Sequence, residues 1–194
     1  MKSDGAPSSN FIQFLAKSDL NVKTMVMIEL YATDIILFIT MVAPYALYTL
    51  AYKAPITFKR ILTQKQLILI SSFMKFICTL IFAIYGFVGG FTFKYIHLSF
   101  VCIAIGQYLN YIVYTQLGSV RAYYGWELGL DNSPMVKGFP FNISHPQYKG
   151  CLLTLLGTFF LFTPTKRFVI FTFIWTICYI YMAVMESTKP GRKQ

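Results

Sequence analysis

The sequence predicts an all-α fold, a polytopic membrane helix bundle of about five spans in which the last two form a helical hairpin. Three observations predict it. Apolar residues make up 56% of the chain and charged residues only 12%, roughly half the charged share of a soluble domain. Mean hydropathy is +0.57. Apolar runs close to the ~20 residues that cross a bilayer recur between short basic turns. This composition excludes disorder, which needs low hydrophobicity and high charge.

The elements follow in order. Residues 1–32 form an N-terminal tail, in which Phe11, Ile12, Phe14 and Leu15 share one face of a short helix expected to lie in the interface. The first apolar run begins after this polar-rich tail, without a secretory signal, so the first span is expected to serve as the targeting signal. That span runs from Thr33 to Tyr52 and contains Pro44, an expected kink. A basic loop, Lys53 to Lys65, leads to the second span, Gln66 to Phe87, which carries Lys75. Lys75 either snorkels toward the basic loop or binds a lipid phosphate, and snorkelling is favoured. Gly89-Gly90 and Lys94 mark a turn before the third span, Ile96 to Leu117.

Gly118 to Lys149 is the long polar stretch of the interior, and such a loop in so small a protein is usually functional. Gly150 to Thr163 is a short apolar arm, Thr163 to Arg167 a turn, and Phe168 to Met185 the last span. Residues 33–187 thus make one transmembrane domain, followed by a basic tail over 188–194.

The net charge of +10 comes from 17 Lys and Arg against 7 Asp and Glu. These cations sit between apolar runs rather than in one basic domain, which argues against nucleic acid and for topology and lipid contact. With five spans, ten cations fall on the side of the first loop, the long loop and the C-terminal tail. Six fall on the other side, in the N-terminal tail, at Lys94 and in the Lys166-Arg167 turn. The long loop is therefore expected to be cytosolic, which would leave the Asn142-Ile-Ser144 sequon unglycosylated. Cys78, Cys102, Cys151 and Cys178 lie inside apolar runs without CxxC spacing, so neither disulfides nor a metal site is expected. His97 and His145 are too few for a histidine-rich metal centre.

Three places can carry chemistry. Continued as one helix, Gln107, Asn110, Tyr114, Gly118, Arg121 and Gly125 fall within about 80° of arc. This stripe is either a helix-packing face or a groove for a cofactor or headgroup that runs into the long loop. The second place is Gly138-Phe-Pro-Phe-Asn-Ile-Ser-His-Pro-Gln-Tyr-Lys-Gly150. Its prolines forbid regular helix before Pro146. It is either a helix-entry turn with interfacial aromatics or a rigid display of His145, Gln147 and Tyr148. Glu186, the third, is either solvated at the span end or available to a cationic ligand.

The set Gly106-Gln-Tyr-Leu-Asn110, Leu117-Gly118, Tyr123-Tyr-Gly125, Gly138-Phe-Pro-Phe141, Pro146-Gln-Tyr148, Gly150 and Met185-Glu-Ser187 resembles the phospholipid N-methyltransferases. The nearest look is to the plant and protist type that completes phosphatidylcholine from phosphatidyl-monomethylethanolamine. The resemblance covers Gly106 to Ser187, while the earlier part shares only hydropathy. Two positions depart from the pattern: Arg121 stands where members commonly have glycine, and Glu186-Ser187 where many have two glutamates. The resemblance implies a multi-pass enzyme of the endoplasmic reticulum membrane with a cytosolic site. It would transfer methyl groups from S-adenosylmethionine to the ethanolamine nitrogen of a membrane phospholipid. Prenylcysteine carboxyl methyltransferases share the His-Pro-x-Tyr turn and the cofactor, and a non-enzymatic lipid-binding protein of the same fold is a third reading. Gly118, Arg121, Tyr123, Gly125 and Glu186 are the expected cofactor residues. Gln107, Asn110, Phe139, Phe141 and Gln147 are expected to face the phospholipid. His145, as acceptor of the amine proton, and Tyr148 are the expected catalytic pair. No metal is expected.

Overall fold

The computed structural model describes residues 9–188, with side chains described from Thr24 onward except Val26. The apolar face formed by Phe11, Ile12, Phe14 and Leu15 and the basic C-terminal tail lie outside the described residues. Six helices follow in order: α1 Ser9–Lys53, α2 Pro55–Ile61, α3 Gln64–Gly89, α4 Ile96–Ala122, α5 Pro146–Leu161 and α6 Lys166–Ser187. No strand occurs among the described residues. A single bridge joins Phe91 to Phe162.

Local chemistry places the helix starts. Pro55 opens α2, where its missing N–H costs nothing. Thr63 and Gln66 close a reciprocal capping box at the start of α3, with Gln66 N 3.3 Å from Thr63 Oγ1 and Thr63 N 2.8 Å from Gln66 Oε1. Thr165 caps α6 by accepting from Phe168 N.

Among the described residues, four helical segments are long and apolar enough to cross a bilayer: Met27–Lys53, Gln64–Gly89, Ile96–Ala122 and Lys166–Ser187. They show exposed apolar surfaces, such as Leu69, Phe73, Phe76 and Leu80 on α3. The chain is thus a multi-pass helical membrane protein. At 16 residues α5 is shorter than a full span. Its two ends nevertheless meet the two ends of α6. His145, which precedes it, bonds Ser187, and the Phe162 ring lies 5.8 Å from Phe168. The expected hairpin is present.

Helix α4 runs antiparallel to α5, and their shared seam accounts for much of the polar stripe. Ser99 Oγ donates to the Gly157 carbonyl at 2.7 Å, Gln107 Nε2 to Thr154 Oγ1 at 3.1 Å, and Gln147 Nε2 to the Tyr114 hydroxyl at 2.9 Å. Cys151 Sγ lies 3.6 Å from Asn110 Oδ1. A Cβ on Gly106 would stand 2.5 Å from the Gly150 carbonyl oxygen. Small residues thus permit backbone approach and polar side chains bridge the helices, as in other membrane bundles. The stripe does not continue as expected. Gly118 has φ 70 and ψ 165, so the helical rotation breaks there, and Arg121 and Gly125 leave the arc of Gln107, Asn110 and Tyr114.

Tyrosine dominates the core beside α6. Tyr45, Tyr48, Tyr52, Tyr123, Tyr124 and Tyr179 are all buried in one cluster. The ammonium of Lys75 lies over two of these rings, 5.1 Å from the centroid of Tyr48 and 5.8 Å from that of Tyr123. It therefore reaches toward Tyr123, the residue that caps α4 and whose carbonyl accepts from Gln64 at the start of α3.

Candidate active site

The residues after α4 form a tight turn that inverts the chain beneath the helix end. Tyr123 N bonds the Ser119 carbonyl and Gly125 N bonds the Val120 carbonyl at 2.9 Å. A Cβ on Gly125 would meet that same carbonyl oxygen at 2.6 Å, so the turn requires glycine. Tyr124, between them, is forced to φ 61. At the other end of the long loop, His145 has φ 51 immediately before Pro146. These are the two non-glycine residues with left-handed backbone among the described residues. Such a conformation costs about 1–3 kcal/mol each. Both aim their side chains at the same group, Glu186.

Glu186 is only 6% exposed, although it lies one residue from the end of α6. This excludes a solvated carboxylate at a span end. Its Oε1 accepts the Tyr124 hydroxyl at 2.8 Å and the Tyr148 hydroxyl at 2.5 Å. Tyr52 reaches from α1 to donate to the Glu186 backbone carbonyl at 3.0 Å. Its Oε2 lies 3.8 Å from His145 Nδ1. His145 Nε2 is 2.7 Å from Ser187 Oγ, and the imidazole stacks on Tyr148 with centroids 6.0 Å apart. Burial, then the neighbouring Tyr148 and Glu186, push the Tyr124 phenol well above its ordinary range, so it stays a proton donor.

A cleft opens beside this cluster, where α4 and α6 end and α5 begins. Val113, Leu117 and Phe141 give it apolar walls. Arg121, His145, Gln147, Tyr148 and Glu186 supply its polar groups. Tyr124, Trp126, Met135 and Val136 complete the lining from the long loop. Arg121 Nη1 donates to the Pro134 carbonyl at 2.9 Å and so ties the segment carrying Met135 and Val136 to the end of α4. The cleft therefore holds a buried carboxylate and a guanidinium within mostly apolar walls, the usual character of a small-ligand site.

The residues singled out in the sequence fall into two groups. Arg121, Phe141, His145, Gln147, Tyr148 and Glu186 are brought together in the cleft. Gly118, Tyr123 and Gly125 are not in its lining; Gly118 and Gly125 shape the turn that presents Tyr124, and Tyr123 packs on Tyr48 and Lys75. Gln107 and Asn110 face α5 instead, and Phe139 is half exposed outside the lining. Sequence reasoning did not find Tyr52, or Ser187 as the partner of His145. Both contacts link residues far apart in the chain, and no local spacing signals them.

Residues 95–189 match the family model described as phospholipid methyltransferase. Every residue lining the cleft lies within that segment. Over 85 residues the chain is 39% identical to the phosphatidyl-N-methylethanolamine N-methyltransferase of Arabidopsis thaliana. The aligned part covers 43% of this chain and 48% of that protein, so the chain spans about half the length of the curated relative it matches. The resemblance read from the motifs is borne out over the C-terminal half. No solved structure matches the chain.

Proposed function

We propose, from a family match that contains the whole cleft, that this protein is a phospholipid N-methyltransferase. It would methylate the ethanolamine nitrogen of a membrane phospholipid, taking phosphatidyl-monomethylethanolamine and phosphatidyl-dimethylethanolamine toward phosphatidylcholine. The observation that carries this reading is the state of Glu186. A carboxylate that is 6% exposed and fixed by two tyrosine hydroxyls, at the edge of a cleft, suits a cationic ligand.

S-adenosylmethionine fits this chemistry, because its sulfonium and ammonium groups are cationic and its carboxylate anionic. Glu186 would attract the cationic part through its charge, supported by the tyrosine faces. Arg121 would hold the carboxylate, with Gly118, Tyr123 and Gly125 shaping the turn between them. When bound, the donor supplies an electrophilic methyl group that is displaced from sulfur by an amine nitrogen. The chain's own residues supply position and protonation. His145 and Tyr148 flank the amine. Phe141 and Gln147 line its approach, while Gln107 and Asn110 hold α4 against α5 behind it. The low-dielectric lining disfavours the charged ammonium and so favours the free amine that attacks. Alignment of amine and methyl in one cleft supplies most of the remaining acceleration.

The position of the cleft supports the same reading. It lies at the ends of α4 and α6, where a water-borne donor and a lipid-borne acceptor both have access. The excess of cations on the side of the long loop supports a cytosolic site in the endoplasmic reticulum membrane. The test is incubation of membranes containing the protein with labelled S-adenosylmethionine and each ethanolamine phospholipid in turn. Label in phosphatidylcholine or its dimethyl precursor supports the reading. Label in a prenylcysteine ester, or none with any acceptor, overturns it.

A further inference from the structure

Two hydrogen-bond acceptors face one another across a gap beside Glu186. The Ser187 hydroxyl donates its one proton to the Ala183 carbonyl at 2.8 Å. With its proton placed there, it accepts from His145 Nε2, 2.7 Å away. That bond fixes the neutral imidazole as the Nε2–H tautomer and leaves a lone pair on Nδ1. Nδ1 is buried and makes no hydrogen bond. Opposite it, Glu186 Oε1 is taken by the two tyrosines, while Oε2 stands 3.8 Å from Nδ1. This is too long for a hydrogen bond, and two lone pairs do not attract. The imidazole is held there by a left-handed backbone and by Tyr148 stacked on its face.

We infer that this gap is the seat of the acceptor ammonium, and that Nδ1 of His145 is the atom that takes its proton. The inference rests on the N-methyltransferase reading above. One ammonium N–H points to Oε2 and another to Nδ1. The second N–H bond breaks, its electron pair stays on the nitrogen, and the proton joins Nδ1. The imidazolium so formed lies beside the Glu186 carboxylate, whose charge stabilises it. The freed pair is then available to the methyl carbon, and the ring later releases its proton to water at the cleft mouth. Ser187 is a positioning residue, because it sets the tautomer. The charged and titratable groups that share the cleft with the ring are Glu186 from α6, Tyr148 from α5, Arg121 from the end of α4 and Tyr124 from the turn after it.

The seat also has a specificity. A monomethylated ammonium carries two N–H groups, one for each acceptor. A dimethylated ammonium carries one, and the quaternary product carries none, so the product keeps its charge but makes neither hydrogen bond.

The experiment uses the full chain in lipid nanodiscs with phosphatidyl-monomethylethanolamine and phosphatidyl-dimethylethanolamine as separate acceptors. His145→Asn keeps an acceptor oxygen near the place of Nδ1 but takes no proton. Its kcat is expected to fall about a hundredfold or more, the usual worth of a general base, with the acidic limb of the pH–kcat profile lost. S-adenosylmethionine affinity by calorimetry is expected to stay within about threefold, far less than loss of a charged hydrogen bond. Ser187→Ala is expected to lose less rate and to displace the same limb. Wild-type turnover with an unchanged limb in His145→Asn would overturn the inference alone. No turnover by the wild type with any ethanolamine lipid would overturn the reading beneath it as well.

Discussion

The hydroxyl of Tyr148, in the first turn of α5, lies 2.5 Å from Oε1 of Glu186, at the end of α6. This bond joins the two arms of the hairpin at the edge of the cleft. Tyr124 completes it from the turn after α4, so three separate segments converge on one carboxylate. A bond to a charged acceptor contributes about 1.5–3 kcal/mol. Tyr148→Phe and Tyr124→Phe are each expected to weaken S-adenosylmethionine binding by up to roughly ten- to a hundredfold on that basis. Tyr52→Phe, which removes a bond to the Glu186 backbone carbonyl rather than to its carboxylate, is expected to cost about 1 kcal/mol of stability and little affinity. Calorimetric titration of the three variants checks this ranking. Equal affinities in all three would contradict the role of the Tyr124 and Tyr148 hydroxyls in fixing the carboxylate for the ligand.

Arg121 ties Pro134 to the end of α4. Arg121→Ala removes both the tether and the one guanidinium of the cleft lining. It is expected to raise the KM for S-adenosylmethionine by roughly ten- to a hundredfold, the range for a charged hydrogen bond. Arg121→Lys keeps the charge but not the planar fork and should fall between. Steady-state kinetics at fixed lipid separate the cases. An unchanged KM in Arg121→Ala would confine this residue to the loop.

Gly106 packs against the backbone of α5. Gly106→Val must push the helices apart or strain the side chain, which costs about 1–3 kcal/mol or more. The expected result is a lower Tm in detergent, with activity falling alongside abundance. Gly90→Ala serves as the contrast, because nothing lies within 4 Å of its Cβ position and only its φ of 78 opposes the change. A Tm unaffected in Gly106→Val would refute the close α4–α5 seam.

Much of the site was legible before its geometry. The Gly138 to Gly150 stretch was readable because two prolines and the glycine next to a membrane helix leave few backbone choices. Glu186 stood out because a carboxylate at the end of an apolar run is costly without a partner. The stripe on α4 holds only as far as Tyr114. The constant 100° rotation ends at Gly118, where the backbone turns to φ 70, and this moves Arg121 and Gly125 off the face. Of the two readings of that stripe, helix packing holds for Gln107 and Asn110. The His145–Ser187 bond joins residues 42 apart in sequence. It depends on how the hairpin closes, and periodicity carries no trace of that.

Ser133 lies exposed in the long loop, on the same side as the cleft. Ser133→Cys, in a background without the four native cysteines, is expected to react with an impermeant thiol reagent only when the cytosolic face is accessible. Labelling from the lumenal face alone would reverse the orientation.

The most direct measurement is methyl transfer from S-adenosylmethionine to phosphatidyl-monomethylethanolamine by the purified protein and by Glu186→Gln at equal abundance. The amide keeps the shape of the carboxylate and removes its charge. The wild type is expected to form methylated lipid. Glu186→Gln is expected to lose about ten- to a hundredfold in kcat/KM, corresponding to a charged hydrogen bond of ~1.5–3 kcal/mol. Wild-type kinetics in Glu186→Gln would contradict the placement of the cationic ligand beside this carboxylate.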